Sequence, residues 1–143
     1  MNAVRQAPPA DELPASALLR DARAGTLSLA EVMERATQLQ QGGQAEAAAQ
    51  LYEVWILHTE VPLKQVACFN WGTLLSSLNR DDDAERAYQL ALTLAPEFPP
   101  ALLNLGHLYE RRGDKERALS NWALAIARTD PPSPANSICT CMP

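Results

Sequence analysis

Residues 101–125 of the chain read ALLNLGHLYERRGDKERALSNWALA, and this stretch decides the fold. On each side of Gly113 the apolar residues recur every three or four positions, which is the spacing of one face of an α-helix. Gly113 can end the first of these helices, and Asp114 can cap the start of the second. The stretch therefore predicts two antiparallel helices joined by a short turn.

The same pattern occurs 34 residues earlier in the chain. Aligning residues 65–98 with residues 99–132 gives identical residues at these pairs of positions: Ala67/Ala101, Asn70/Asn104, Gly72/Gly106, Leu74/Leu108, Ala84/Ala118, Leu90/Leu124 and Ala91/Ala125. The kinds of residue matter more than their number, since small residues repeat at small positions and Tyr88 stands opposite Trp122. The alignment predicts an internal repeat, with one pair of helices in each copy.

A third and weaker copy lies upstream, over about residues 29–62. Ser28 and Glu31 have the spacing of a capping box at its start. A variant of this box, Asp82 with Glu85, is expected to start the second helix of the next copy. The chain is therefore expected to contain about three helix pairs.

The ends of the chain have a different composition. A short helix is expected from about Pro14 to Ala24, ahead of the first pair. Residues 1–12 are expected to be disordered, and residues 131–143, which are rich in proline and small residues, are expected to form a flexible tail. The helical domain is accordingly predicted over residues 13–130.

Charge and hydropathy exclude several classes of function. The net charge is −5 at pH 7, and acidic residues interrupt the densest basic stretch, so a nucleic-acid partner is not expected. No apolar run approaches the length of a membrane span, and residues 1–21 carry prolines and acids where a signal peptide needs an apolar stretch. We therefore expect a cytoplasmic protein with no membrane partner.

No group of residues has the pattern of a catalytic or metal site. His107 is the best single candidate for acid–base chemistry, but it has no nucleophile near it in the sequence. Cys139 and Cys141 form a lone C-x-C pair, whereas a structural zinc site needs four ligands. We expect no enzymatic activity, no bound metal and no cofactor.

The repeat resembles the tetratricopeptide repeat, whose pattern is aromatic-x2-Leu-Gly-x2-Tyr followed by Ala-x3-aromatic and Ala. The matching residues of the last copy are Leu102, Leu105, Gly106, Tyr109, Ala118, Trp122 and Ala125. Those of the copy before it are Cys68, Trp71, Gly72, Leu75, Ala84, Tyr88 and Ala91. The departures are the missing aromatic residues at Cys68 and Leu102. The resemblance covers about residues 29–132 and implies an all-α, right-handed superhelical solenoid of about three helix pairs with a short N-terminal helix.

A narrower resemblance concerns the helical N-terminal region of bacterial SPINDLY-type protein O-GlcNAc transferases. It rests on the run Phe69-Asn70-Trp71-Gly72, on the pair Tyr52 and Trp55, and on Trp122. This resemblance implies that the chain is the substrate-recognition arm of a protein O-glycosyltransferase whose catalytic domain is absent from these residues. It is the alternative to an interaction scaffold that acts by itself.

In tetratricopeptide solenoids the first helix of each pair lines a concave face, which the family implies is a binding surface. We therefore expect a protein–protein interaction scaffold that binds an extended peptide or a partner helix in this groove. The residues predicted for this face are Phe69, Asn70, Thr73, Ser77, Leu103, Asn104, His107 and Arg111. A side-chain amide both donates and accepts hydrogen bonds, so Asn70 and Asn104, one repeat apart, are candidates to pair with the backbone of an extended peptide. The alternative is that asparagine is simply common at this repeat position. Arg111 stands alone, so a clamp for a terminal carboxylate is not expected.

The second helix of the last pair has an apolar edge formed by Leu119, Trp122 and Ile126. In a solenoid each pair covers the edge of the pair before it, and terminal repeats need a polar cap. Exposed apolar patches usually mark contact sites. We therefore expect a second copy of the chain, or the rest of a longer protein, to cover this edge rather than residues 132–143.

Overall fold

The structure is a computed structural model of the chain, and it describes residues 15–129. These residues contain no strand and form seven α-helices: α1 (Ala15–Ala24), α2 (Leu29–Gln41), α3 (Ala45–His58), α4 (Lys64–Ser77), α5 (Asp81–Leu94), α6 (Pro99–Arg111) and α7 (Lys115–Thr129). The expected all-α fold with a short first helix is confirmed. The predictions for residues 1–12 and 131–143 fall outside the described residues. None of the seven helices is both long and apolar enough to cross a membrane.

The described residues fall into two compact units that divide after Ala67, within α4. In the first unit α2 pairs with α3, and α1 packs against α3. Trp55 of α3 is completely buried, and its indole nitrogen donates a 2.8 Å hydrogen bond to the carbonyl oxygen of Leu27. This bond ties the turn between α1 and α2 to the core of the unit.

The predicted capping box at the start of α2 is present. The Ser28 hydroxyl accepts from the Glu31 backbone amide at 3.2 Å, and the Glu31 carboxylate accepts from the Ser28 backbone amide at 2.7 Å. Hydrogen bonding to the Ser28 backbone, and then to its side chain, lowers the pKa of Glu31. The box therefore satisfies two backbone groups that an α-helix leaves without partners at its start.

The second unit contains α4 from Cys68 onward, then α5, α6 and α7. The glycines of the repeat face the aromatic side chain of the second helix of their pair. A Cβ atom added at Gly72 would lie 2.7 Å from the Tyr88 ring, and one added at Gly106 would overlap the indole of Trp122. In both pairs an aromatic side chain of the second helix fills the space that glycine leaves on the first.

The turn inside each pair uses a left-handed backbone residue at the same repeat position. Gly113 has a φ of +82° between α6 and α7, and Asn79 has a φ of +61° between α4 and α5. Asparagine tolerates this conformation better than most residues with a side chain. The predicted cap at Asp114 is present, since its carboxylate accepts from the Arg117 backbone amide at 3.2 Å.

The predicted capping role of Asp82 is wrong. The helix α5 begins at Asp81, the N-cap residue is Arg80, and no side-chain hydrogen bond caps the helix start. Asp82 lies within the first turn, and its carboxylate instead pairs with Arg112 at the end of α6, at 2.5 Å. Three acidic residues in the first turn complement the positive end of the helix dipole, and the ion pair with Arg112 holds the Asp82 carboxylate away from a capping position.

Candidate partner-binding surface

The residues predicted to line the groove all lie on α4 or α6, the first helices of the two pairs of the second unit. None of them is buried: Asn70, Phe69 and Asn104 are partly exposed, and Thr73, Ser77, Leu103, His107 and Arg111 are exposed. The residues of the helix seams, by contrast, are enclosed, with Ala84 0% and Ala118 2% exposed. We call the exposed set the groove face.

Asn104 is held by a hydrogen-bond network that joins three helices. Its amide nitrogen donates to the Tyr88 hydroxyl oxygen at 3.1 Å and to the Thr73 hydroxyl oxygen at 3.3 Å. The Tyr88 hydroxyl donates to Thr73 at 3.3 Å, and Thr73 donates to the Phe69 carbonyl oxygen at 3.1 Å. Since the nitrogen is occupied, the acceptor oxygen is the part of the Asn104 amide that remains available to a ligand.

Asn70 occupies the equivalent position one repeat earlier but has a different environment. It makes no hydrogen bond to another side chain within residues 15–129, so both its donors and its acceptor are available. The structure thus distinguishes two asparagines that look equivalent in the sequence. Asn70 can donate and accept, whereas Asn104 is fixed in place and is an acceptor.

Aromatic side chains flank the two asparagines. The Phe69 ring lies 6.0 Å from the Tyr88 ring and 5.8 Å from the Phe98 ring, measured between ring centroids, and meets Phe98 edge to face. These distances are typical of favourable aromatic pairs. The residues predicted for the groove did not include Phe98, which precedes the two prolines at the start of α6. Its position as an aromatic residue just before the repeat was the signal that could have identified it.

A second apolar patch lies on α6 and α7. His107 meets the ring of Trp122 at 5.4 Å, and the Trp122 indole nitrogen donates to the Leu103 carbonyl oxygen at 3.3 Å. Leu103 is 40% exposed, so it adds apolar surface beside these two rings. Leu103, His107 and Trp122 occupy the repeat positions that Phe69, Thr73 and Tyr88 occupy in the pair before.

Arg111 does not present a free guanidinium group. Its Nη2 donates to the Ser76 hydroxyl at 3.0 Å and to the Asp81 carboxylate at 2.9 Å. Ser77 is also engaged, because its hydroxyl donates to the Leu74 carbonyl oxygen at 2.6 Å. These contacts hold both side chains against neighbouring groups, and their role in binding a partner stays a prediction.

A cluster of charged and polar side chains fixes α6 to α5. Arg112 contacts Glu85 at 2.6 Å as well as Asp82, and the Tyr109 hydroxyl donates to Glu85 at 2.6 Å. Burial alone would raise the pKa of Glu85, but the hydrogen bonds from Tyr109 and Arg112 and the nearby positive charges outweigh it and lower that pKa. Burial and the bond to Glu85 raise the pKa of Tyr109. The cluster therefore fixes the position of α6, and with it the position of Asn104.

The chemistry available at this surface is hydrogen bonding and apolar contact. Residues 15–129 include no group of three or more His, Cys, Asp or Glu side chains placed to hold a metal ion. His107 has Glu110 as its nearest charged neighbour, at 3.8 Å, and both side chains are exposed.

Two protein-family models match parts of the chain. One tetratricopeptide repeat model matches residues 66–98, and another matches residues 101–120. A comparison with curated proteins found no match. The resemblance to SPINDLY-type transferases stays a prediction.

Among solved structures, the chain is similar to one described as MamA MSR-1 C2, with a TM-score of 0.61 and 21% sequence identity. This match covers 80% of the present chain and 65% of that chain, so the present chain spans less than two thirds of it. A structure described as the crystal structure of MamA matches with a TM-score of 0.46 and 14% identity, over 80% of this chain and 86% of that one. Only the first match, with its higher TM-score, bears on the fold, and it agrees with a helical-repeat architecture.

Proposed function

Because the chain contains tetratricopeptide repeats at residues 66–98 and 101–120, we propose that it is a protein-interaction scaffold. The groove face of the second unit binds an extended segment of a partner protein. In this account the chain performs no catalysis and needs no cofactor. A cytoplasmic location, and a protein rather than a nucleic acid or membrane partner, are parts of the same proposal.

The observation that carries the proposal is the arrangement of Asn104. Its amide nitrogen is held by Tyr88 and Thr73, so its oxygen is oriented before any ligand arrives. A group that is already ordered loses little conformational entropy on binding, and this favours affinity. An extended peptide offers a backbone N–H to such an acceptor, whatever side chains the peptide carries.

Asn70 supplies the complementary half of the contact. With both its donors and its acceptor available, it can pair with an N–H and a C=O of the same backbone. The apolar side chains beside the two asparagines, Phe69 and Leu103, give the partner's own side chains a surface to cover. Backbone recognition by the amides and apolar contact by these neighbours together favour an internal peptide segment.

A terminal carboxylate is a poor fit for the same face. Recognition of a carboxylate relies on a free Lys or Arg, ideally a guanidinium that binds in bidentate fashion. Arg111 is the cation of the groove face, and its Nη2 already binds Ser76 and Asp81. The alternative function, a recognition arm of a protein O-glycosyltransferase, would use the same amides and stays a prediction.

The proposal is tested by selecting binding peptides from a displayed random library with the full chain as bait. The affinity of the best peptide is then measured by calorimetry for the parent chain and for the double variant Asn70→Ala with Asn104→Ala. We expect at least about a tenfold loss, since each lost hydrogen bond contributes roughly 0.5–1.5 kcal/mol.

Asn121→Ala is the matched control, because Asn121 lies on α7 and donates to the Arg117 carbonyl oxygen of its own helix. Helix content measured by circular dichroism verifies that each variant is folded. Unchanged affinity in a folded double variant would rule out recognition by the two amides.

A further inference from the structure

Among the described residues of the second unit, the most exposed large apolar side chains lie on the outward surface of α7. Leu119 is 62% and Ile126 is 61% exposed, and the exposed Ala123 lies between them. The spacing of four and three residues places all three side chains on one helix face. We call this stripe the α7 outer face. Trp122, which the sequence grouped with it, is half-buried and packs against Gly106 instead.

The corresponding stripe on α5 shows what covers such a face in this fold. Glu85 and Leu92 lie 34 residues before Leu119 and Ile126. Both are partly covered, because α6 lies against α5: Tyr109 and Arg112 of α6 bind Glu85, whose side chain is only 19% exposed. The element that covers the stripe on α5 is therefore an amphipathic helix, and nothing within residues 15–129 does the same for α7.

We propose that the α7 outer face binds an amphipathic helix of a partner protein, in the way that α6 lies on α4 and α5. By analogy with α6, the incoming helix is also expected to contact the first helix of the pair on which it lies, which is α6. Since Asn104 reaches back to Thr73 and Tyr88, the incoming helix would reach the residues at the same repeat positions, His107 and Trp122. Both of these side chains retain exposed surface.

Charge determines which helix fits. On α5 the residues that receive α6 are Asp81 and Asp82, which bind Arg111 and Arg112. At the same repeat positions α7 carries Lys115 and Glu116, so one of the two charges is reversed. At the next position Leu119 replaces Glu85, so no carboxylate is left to accept a tyrosine hydroxyl.

The incoming helix should consequently differ from α6 at two places. It carries an acidic residue where α6 has Arg111, opposite Lys115, and an apolar residue where α6 has Tyr109, opposite Leu119. It keeps a basic residue where α6 has Arg112, opposite Glu116. A second copy of the chain that offered its own α6 would place Arg111 against Lys115, and like charges at a contact are unfavourable.

Pairing of two α7 outer faces is also a poor fit. Stable dimers bury on the order of 1,200–2,000 Å² in total, and two stripes with two large apolar side chains each do not supply such an area. A single helix in the position of α6 gains contacts from both helices of the last pair. The structure therefore favours a foreign helix over a second copy.

The test uses the full chain and two synthetic peptides, each held helical by the same staple on its solvent side. The first peptide has the sequence of residues 98–112, and the second carries Tyr109→Leu and Arg111→Glu within it. Fluorescence anisotropy measures both affinities. We expect saturable binding of the second peptide, about tenfold tighter than binding of the first, because the charge reversal removes a like-charge contact.

Leu119→Glu in the full chain should abolish binding of the second peptide. The matched control is Leu57→Glu, because Leu57 is 71% exposed on α3 of the other unit and should have no effect. Groove-face ligands should bind Leu119→Glu normally, which separates this proposal from the proposed function. The proposal is overturned if the second peptide does not bind, or binds the Leu119→Glu chain equally well. It is also overturned if the chain self-associates in sedimentation and Leu119→Glu prevents this, since the face would then belong to a second copy.

Discussion

The amide nitrogen of Asn104 on α6 lies 3.1 Å from the hydroxyl oxygen of Tyr88 on α5. Tyr88 is 2% exposed, and its ring fills the space that Gly72 leaves on α4. One aromatic side chain thus joins the packing of a helix pair to the orientation of a groove residue in the next repeat. Changes in the seam between helices are therefore expected to reach the groove face.

Tyr88→Phe removes the hydroxyl and keeps the ring. We expect the free energy of unfolding to fall by roughly 1–3 kcal/mol, because the hydroxyl makes two hydrogen bonds and each contributes roughly 0.5–1.5 kcal/mol. Peptide affinity should fall as well, because Asn104 loses one of the two acceptors that orient its amide. Urea unfolding and calorimetry measure the two effects. A variant with parent-like affinity would show that the orientation of Asn104 does not matter for binding.

Gly106→Val tests the packing of the last pair. The added side chain would overlap the indole of Trp122, so we expect a loss of roughly 1–3 kcal/mol of unfolding free energy from overpacking. Ala123→Val, at an exposed position of α7, is the control for adding a branched side chain to a helix. In a Trp122→Leu background the cost of Gly106→Val should shrink. An equal cost in both backgrounds would contradict the predicted contact.

The contact between α5 and α6 should weaken in acid. Since the pKa of Glu85 is lowered in the folded chain, its ionised form stabilises the fold above the ordinary carboxyl pKa of about 4.3. This contribution is lost as the pH falls through the lowered folded-state pKa. Glu85→Gln should therefore reduce stability at pH 7 and flatten its decline in acid, as measured by urea unfolding across the pH range. Glu116→Gln, on the first turn of α7, is the control variant.

The local features of the fold follow from the sequence. The pairing of Gly106 with Trp122, the cap at Asp114 and the Ser28 box each involve a short-range pattern or a repeat position with a steric role. The two caps depend on backbone geometry that a few neighbouring residues determine, and the pairing of Gly106 with Trp122 repeats that of Gly72 with Tyr88. For that reason the helices and their packing residues could be predicted.

The chemistry of the groove face could be predicted only in part. The exposure of Asn70 and Asn104 agrees with the helical pattern, but the attachment of Asn104 to Tyr88 and of Arg111 to Asp81 involves partners in other helices. Asp82 shows the same limit, since its position in the sequence fits a capping pattern but its carboxylate instead forms an ion pair with Arg112. Contacts between distant residues depend on how helices pack, which residue spacing alone does not specify.

The most direct test of the groove proposal is a titration of the isotopically labelled chain with a library-selected peptide, followed by nuclear magnetic resonance. We predict that shift changes concentrate on α4 and α6 around Asn70, Asn104 and Leu103, and that the Asn70 side-chain amide protons move most. The Asn104 amide protons should remain protected from exchange by their bonds to Tyr88 and Thr73. Shift changes confined to α1, α2 and α3, with the two asparagines unaffected, would contradict the account.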